Sequence, residues 1–529
     1  MQKIIKNLPK IYISLFVILL FLFLLNNSLN YLDSDFGWHL RVGQETLENK
    51  QVPHIETFLY TLKGVKWVDH EWLSNVISYF IYNNFGYFLL NIIFTIFPIL
   101  SIFILLIISK KFFTKKIPLT LSALLLSLGV LAMAPHLGVR IQEITLLFLI
   151  LLVLIILQYD YKKNTKCPEG KKIFFYLPPL FMSWANLHAG FLIGFAVFGY
   201  YIFYQIILLI LKKNKELKEV LILVLFFIAS LVATLINPYG LELYSFLTTY
   251  SDTFYMTHIS EWLPAYSYPI IYYQLFYNAL YITILILVFL ERKENNISKK
   301  YNFWHFTLTI IFFILAIKSR RHFPLFFIVS FPLILQFTSR DLYLKETWNN
   351  FIKKNILINF FLLISILLTI IYFISSTQII NNPFTHEKFC KSAPCKAVKF
   401  IKNNKELANL QFFNLYGWGG YLDWVWPEKQ LFSDGRLPMT QFNGISLLEE
   451  YDSFFKEDES ENKLNEYNIK LLLLRKFRVA HFTWFEKLFF GLDEEKFNIK
   501  NHLSEFLRNS PEWDLKYEDK ISEVFARKE

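Results

Sequence analysis

Two carboxylates one residue apart, Asp33 and Asp35, follow the first long apolar stretch of the chain. Such a pair can share a hard divalent cation or a proton, and it is costly beside hydrocarbon unless something compensates it. Asp69, His70 and Glu71 form a second cluster in the same loop, which also carries His39. These residues predict catalytic roles for Asp33 and Asp35 and substrate contacts from His39, His70 and Glu71. They also predict a divalent cation, Mg or Mn, on Asp33, Asp35 and His70. As helix-capping acids of a solvated loop, the same residues would carry no chemistry. A second chemistry is written in Lys318, Ser319, Arg320, Arg321 and His322, a cationic run between two apolar segments. Guanidinium groups bind phosphate bidentately, so Arg320 and Arg321, joined by Arg140, predict a donor-phosphate site.

Four further places carry hydrogen-bonding or stacking groups. Asn186 and His188, between Trp184 and Gly190, either contact substrate or cap a tight re-entrant turn. Glu261 beside Trp262 offers an acid and a ring to a sugar, or belongs to an interfacial belt. Trp418, within Tyr416-Gly417-Trp418-Gly419-Gly420-Tyr421, offers a stacking face or fills a core. Asp434 and Arg436 end a strand, as substrate contacts or as each other's salt bridge. No Walker loop, dinucleotide fingerprint, H-E-x-x-H or nucleophile elbow occurs.

The elements that must position these groups are mostly apolar. Of 529 residues, 54% are hydrophobic and only 18% charged, which reads as a polytopic membrane protein. About eleven spans are predicted, centred near residues 18, 98, 126, 150, 179, 200, 228, 281, 310, 330 and 364. Trp72 to Phe85 reads as amphipathic and interfacial. Lys-rich loops alternate with others: around 110–116, 162–172, 212–218, 292–300 and 340–354. Positive loops stay inside, so the N-terminus is expected in the cytoplasm and the tail outside the cell (inner) membrane. The net charge of +11 is dispersed among these loops, so no nucleic-acid partner is expected. The first apolar segment lacks a small-x-small site and reads as an uncleaved helix.

The expected domains are a membrane body over residues 1–375, with its first outer loop at 28–87, and an extracytoplasmic α/β domain over 376–529. In the tail, residues 410–414, 429–432 and 470–474 read as strands, 447–455 and 481–490 as helices, and 515–527 as a closing hairpin. Cys390 and Cys395 could pair in an oxidising compartment.

The set D-S-D-F-G-W-H-L-R-V-G, W-V-D-H-E-W-L, W-A-N-L-H-A-G, I-N-P-Y-G, S-R-R and G-W-G-G-Y-L followed by D-G-R covers nearly the whole chain. It is similar to a group of bacterial polytopic membrane proteins placed near the GT-C superfamily of integral-membrane glycosyltransferases, distantly oligosaccharyltransferase-like. The resemblance implies a mainly α fold, a membrane helix bundle with a C-terminal extracytoplasmic α/β domain. It implies Asp33 and Asp35 at the catalytic centre, one as base toward the acceptor or as holder of a cation. The Tyr416 to Tyr421 segment resembles the W-W-D-Y-G acceptor motif of oligosaccharyltransferase but lacks its Trp-Trp-Asp core, which speaks against a peptide acceptor. The expected activity is transfer of a hexosyl or pentosyl group from a polyprenyl-phosphate-linked donor to a glycan, lipid or protein acceptor. The alternatives are a transporter or flippase for a lipid-linked or anionic substrate, and a non-catalytic envelope assembly protein. Membrane lipid is a partner in every case.

Overall fold

Long apolar runs in this chain fold as helices because a helix satisfies every backbone group internally, the one condition hydrocarbon imposes. The computed structural model describes residues 2–113, 119–164, 168–212, 217–249, 253–291, 302–338, 356–442, 444–456, 459–477, 479–497 and 502–528. Seven described helices are long and apolar enough to cross a membrane: Ile11–Asn30, Trp72–Phe113, Glu143–Lys163, Phe191–Ile210, Leu217–Thr234, Tyr272–Leu290 and Arg320–Thr338. Ser122–His136, Phe303–Lys318 and Leu363–Ser376 are shorter apolar helices. The span expected near 179 is different. Leu177–Leu187 has 11 residues and starts at a pair of prolines, so it rises about 16 Å, far short of ~30 Å of hydrocarbon. Most residues of the Lys-rich loops at 110–116, 212–218, 292–300 and 340–354 lie outside the described residues. The protein is thus a mainly helical, multi-pass membrane protein with a small sheet near its C-terminus.

The chain divides into two compact units. The first comprises Met1–Tyr31, Phe88–Gly240 and Glu261–Ile379; the second comprises Leu32–Tyr87, Leu241–Ser260 and Ile380–Glu529. The loop after the first helix therefore counts with the tail. In the first unit, Gln2–Asn30 packs on Ile356–Ser376, and Phe303–Lys318 on Phe323–Thr338. Every residue from Phe323 to Leu335 is buried. This helix therefore runs through the protein interior of the unit and not along its surface.

In the second unit, the helix Phe36–Asn49 packs on the short helix Gly419–Val425. Glycine permits the approach: a Cβ at Gly37 would lie 2.0 Å from the Gly420 carbonyl oxygen, and one at Gly420 would lie 2.2 Å from that of Ser34. Gly86, at φ 79°, breaks the helix that begins at Trp72, so the amphipathic stretch Trp72 to Phe85 is separate from the apolar one beyond.

Strands β1 (Phe412–Asn414), β4 (Leu471–Arg475), β6 (Ser522–Arg527) and β5 (Trp513–Glu518) make one sheet in the order β1-β4-β6-β5. β1 and β4 run parallel; the other pairs are antiparallel. Leu471 to Leu474 are all buried, as a central strand covered on both faces requires. β2 (Gln441–Phe442) and β3 (Ile445–Ser446) form a separate pair. The helices expected in the tail appear as Leu447–Ser453 and Trp484–Phe490. The strand expected at 429–432 does not join the sheet. Leu431 instead bridges Leu59 in the first loop, exchanging backbone hydrogen bonds with Phe58 and Tyr60. Cys390 and Cys395 are joined by a disulfide.

Candidate functional site

The second unit holds the acidic group. The Asp33 carboxylate accepts the Asp35 backbone N–H at 2.9 Å, closing an Asx-type turn before the helix Phe36–Asn49. Asp35 is the N-cap residue of that helix, yet its side chain makes no capping bond. The two aspartates therefore differ: the Asp33 side chain closes the turn, and the Asp35 side chain does not cap the helix. The Asp35 carboxylate lies against Gly435, where a Cβ would stand 2.1 Å from Asp35 Oδ1. Only a glycine lets it sit there.

Beneath Asp35 is a buried ion cluster. Arg436 donates through its backbone N–H to Asp434 Oδ1 and through Nε to Asp434 Oδ2, both at 2.8 Å, and through Nη2 to Glu56 Oε1 at 3.0 Å. Its guanidinium lies over the rings of Phe58 and Trp67. Glu56 also accepts the backbone N–H groups of Phe58 and Leu59. Arg41 covers the Phe58 ring and stands 3.6 Å from Asp423. Burial works against the Arg436 charge, but Asp434 and Glu56 outweigh it and hold its pKa up. Burial first, and then the neighbouring Asp434 carboxylate, push Asp423 well above the usual carboxylate range. Asp434 and Arg436 thus form the mutual salt bridge, not substrate contacts; each is too buried to reach a solute. Glu56, Arg41 and Asp423 were not singled out in the sequence.

Beside the turn runs a second chain of hydrogen bonds. His39 Nδ1 is 2.7 Å from Asn75 Oδ1, and Asn75 Nδ2 donates to Asp69 Oδ2 at 2.8 Å. The Glu71 backbone N–H donates to Asp69 Oδ1 at 3.2 Å. Because Asn75 Oδ1 can only accept, the network assigns the proton to His39 Nδ1. Burial lowers the His39 pKa in spite of Glu71 and Asp33 nearby, so the ring is neutral. Burial raises Asp69 to about 6 against the pull of His70 and Asn75. His70 Nε2 lies 3.4 Å from Glu71 Oε1. Sequence reasoning missed Asn75, the link between His39 and Asp69; nothing in its local pattern marks it. Among the described residues no group of three or more His, Cys, Asp or Glu is arranged to hold a metal ion. Asp33, Asp35 and His70 are thus not assembled as a three-ligand set, and no step below is routed through a cation.

Trp418 is buried, its Nε1 donating to the Ser392 carbonyl at 3.1 Å with Arg475 over its ring. It is core, not a face open to a sugar.

The first unit holds the cationic group. Arg140 Nη1 donates to Glu261 Oε1 at 2.7 Å and Nη2 to the Tyr31 hydroxyl at 2.8 Å. Arg321 Nη1 approaches the other Glu261 oxygen at 3.6 Å, its guanidinium over the Trp262 ring. Burial alone would raise Glu261, but the flanking Arg140 and Arg321 outweigh it and hold the carboxyl down to about 2. A carboxylate held between two guanidiniums occupies the kind of place a phosphate oxygen would take. Arg320 is different. Its Nε, Nη1 and Nη2 donate to the carbonyls of Leu263, Pro269, Pro264 and Ser267, at 2.7 to 3.3 Å. All three of its nitrogens are engaged in stapling the 263–269 loop, so it is a structural arginine and not a phosphate ligand.

Asn186 and His188 also serve the fold. Asn186 Nδ2 donates to the carbonyls of Met182 and Ile236. His188 Nδ1 accepts the Gly190 backbone N–H at 2.9 Å and lies 2.7 Å from Thr145 Oγ1. These bonds tie the turn between Trp184 and Gly190 to Thr145 and Ile236.

No protein-family model matches the chain, and no curated protein matches it. Its fold is similar to that of the Archaeoglobus fulgidus oligosaccharyltransferase in the apo form. That likeness has a TM-score of 0.55 at 12% identity, over 88% of this chain and 69% of that one.

Proposed function

We infer that the protein is an integral-membrane glycosyltransferase that moves a sugar from a polyprenyl-phosphate-linked donor to an acceptor at the extracytoplasmic face. The observation that carries this reading is the presentation of Asp35. One aspartate of the pair makes the turn, the other is released from capping, and a glycine is kept where any side chain would push it away. A general base must come within hydrogen-bond reach of the hydroxyl it deprotonates. Asp35 is that base, and Asp33 is its positioning residue. The fold likeness to an oligosaccharyltransferase supports the same class.

Glycosyl transfer from a lipid phosphate also needs stabilisation of the departing phosphate. Arg321, about a third exposed, is assigned to it, with Arg140 holding Glu261 beside it. Glu261 draws both guanidiniums toward one spot, Arg140 at 2.7 Å from one of its oxygens and Arg321 at 3.6 Å from the other. His39, neutral and held through Nδ1, is assigned to the acceptor together with His70 and Glu71. A disulfide at Cys390–Cys395 agrees with an oxidising side for the second unit, hence with a cytoplasmic N-terminus and an inner-membrane location.

The test uses purified protein and labelled polyprenyl-phosphate hexoses and pentoses, reading release of polyprenyl phosphate. Asp35→Asn should abolish release. Asp33→Asn retains an oxygen to accept the Asp35 N–H and should keep measurable activity. Full activity of Asp35→Asn removes the assignment.

A further inference from the structure

The helix Trp484–Phe490 is formed by its own signals. Thr483 and Glu486 make a reciprocal capping box at its start, and Gly491 closes its end in the left-handed conformation at φ 64°. An autonomous helix on a packed domain normally turns its apolar face inward. This one has no buried residue. Trp484 is 74% exposed, Leu488 70%, Phe489 63% and Phe485 38%. At 100° per residue these four fall within one broad face. Phe477 and Val479, just ahead of the helix, are exposed as well.

The area argues against a protein occupant. Four such side chains, at roughly 150–250 Å² for each aromatic ring, present about 400–500 Å² at their observed exposure, against ~800 Å² per partner in a stable protein interface. A bilayer surface sets no such minimum, and this chain is fastened to one by its spanning helices. Two turns rise about 10 Å, so the helix can lie in the interface but not cross it. Tryptophan and phenylalanine are the rings that settle at headgroup depth. Between residues 475 and 490 the sequence sets Arg475, Lys476, Arg478 and Lys487 against the single acid Glu486, a balance that suits anionic headgroups. Lys476 and Lys487 each have a surface acid beside them, Glu518 and Glu494, so the apolar face carries most of the attraction.

We propose that Trp484–Phe490 is an interfacial anchor that inserts Trp484, Phe485, Leu488 and Phe489 into the headgroup–acyl boundary of the bilayer and so holds the second unit against the membrane surface. The anchor does not depend on the chemistry assigned to Asp35, and its test reads no transfer activity.

The full chain, with Cys167→Ser and the Cys390–Cys395 disulfide intact, carries an environment-sensitive fluorophore at Leu488→Cys. It is reconstituted into vesicles of phosphatidylethanolamine and phosphatidylglycerol. Doxyl groups on the lipid chains just below the headgroups should quench the label several-fold more strongly than aqueous iodide does, and its emission should be blue-shifted. The same label at Lys520→Cys, on the exposed tip between β5 and β6, should show the reverse order. Equal or stronger quenching of position 488 by iodide overturns the proposal. So does protection from both quenchers, which would mean that protein covers the face.

Discussion

Replacing Gly435 by alanine should cost the protein its activity and leave its fold in place. Gly435 is outside the left-handed region, so the backbone tolerates a Cβ, and the loss of chain entropy in the unfolded state would by itself favour alanine by about 0.4–1 kcal/mol. The new methyl would stand 2.1 Å from Asp35 Oδ1, and ordinary contact begins at 3.4 Å, so the carboxylate must retreat by about 1.3 Å. The atom it meets is the end of a rotatable side chain, which can swing away cheaply. A base misplaced by about 1 Å loses on the order of 10²-fold in rate, equivalent to about 2.7 kcal/mol of barrier. Gly420→Ala makes the contrast. Its methyl would stand 2.2 Å from the Ser34 backbone oxygen, which cannot rotate away, so it should destabilise by about 1–3 kcal/mol or more. The assay pairs polyprenyl-phosphate release with thermal unfolding in detergent. Gly435→Ala should lose about two orders of magnitude in kcat with its Tm near that of the parent, while Gly420→Ala should lower Tm. Full activity of a folded Gly435→Ala protein would refute the claim that Asp35 acts from the position seen here.

The other predictions concern charge. Asp69, raised to about 6 by burial, binds its proton more tightly folded than unfolded, so stability should fall as pH rises from about 4 through 6. The full effect is on the order of 2–3 kcal/mol, and Asp69→Asn should flatten that part of a Tm-against-pH curve. Glu261 is shifted the other way: its contribution is present above the unfolded value of about 4.5 and is lost as pH falls toward 2. Glu261→Gln should remove that acid-side loss, as acid unfolding midpoints would record. Arg320→Lys, which breaks the fork onto four carbonyls, should lower stability by about 2–3 kcal/mol with little change in donor KM, whereas Arg321→Gln should raise donor KM about tenfold with Tm nearly unchanged.

The sequence made some of this legible and hid the rest for identifiable reasons. Four consecutive leucines, 471 to 474, read as a strand and residues 515–527 as a closing hairpin, and both are present. Apolar runs of twenty residues announced the spanning helices; the failure at 179 came from counting hydropathy across paired prolines that start a helix of 11 residues. Arginines were where local reading failed. Arg320 and Arg321 are adjacent and identical as letters, yet one faces four carbonyls of a loop some fifty residues earlier and the other faces Glu261. Which role each takes depends on how the 263–269 loop curls, which no short pattern records. Likewise the partner that removes Arg436 from solvent, Glu56, is 380 positions away.

The buried cluster of Glu56, Arg41, Asp423, Asp434 and Arg436 is better explained by position than by stability. Well-packed apolar residues of similar volume often match or exceed the stability of such a buried group, because removing charges from water offsets most of their attraction. What apolar packing cannot supply is direction. Asp434 and Arg436 grip each other across one residue, and that residue is Gly435. Glu56 Oε1 accepts from Arg436 Nη2 and from the backbone N–H groups of Phe58 and Leu59, while Oε2 lies 2.9 Å from Arg436 Nη1. The result is a backbone segment held to one register beneath Asp35, with Gly37 and Gly420 fixing the opposite side of the same turn. Three motifs far apart in sequence, D-S-D-F-G, G-W-G-G-Y and D-G-R, therefore pack as one unit around the Asp35 carboxylate.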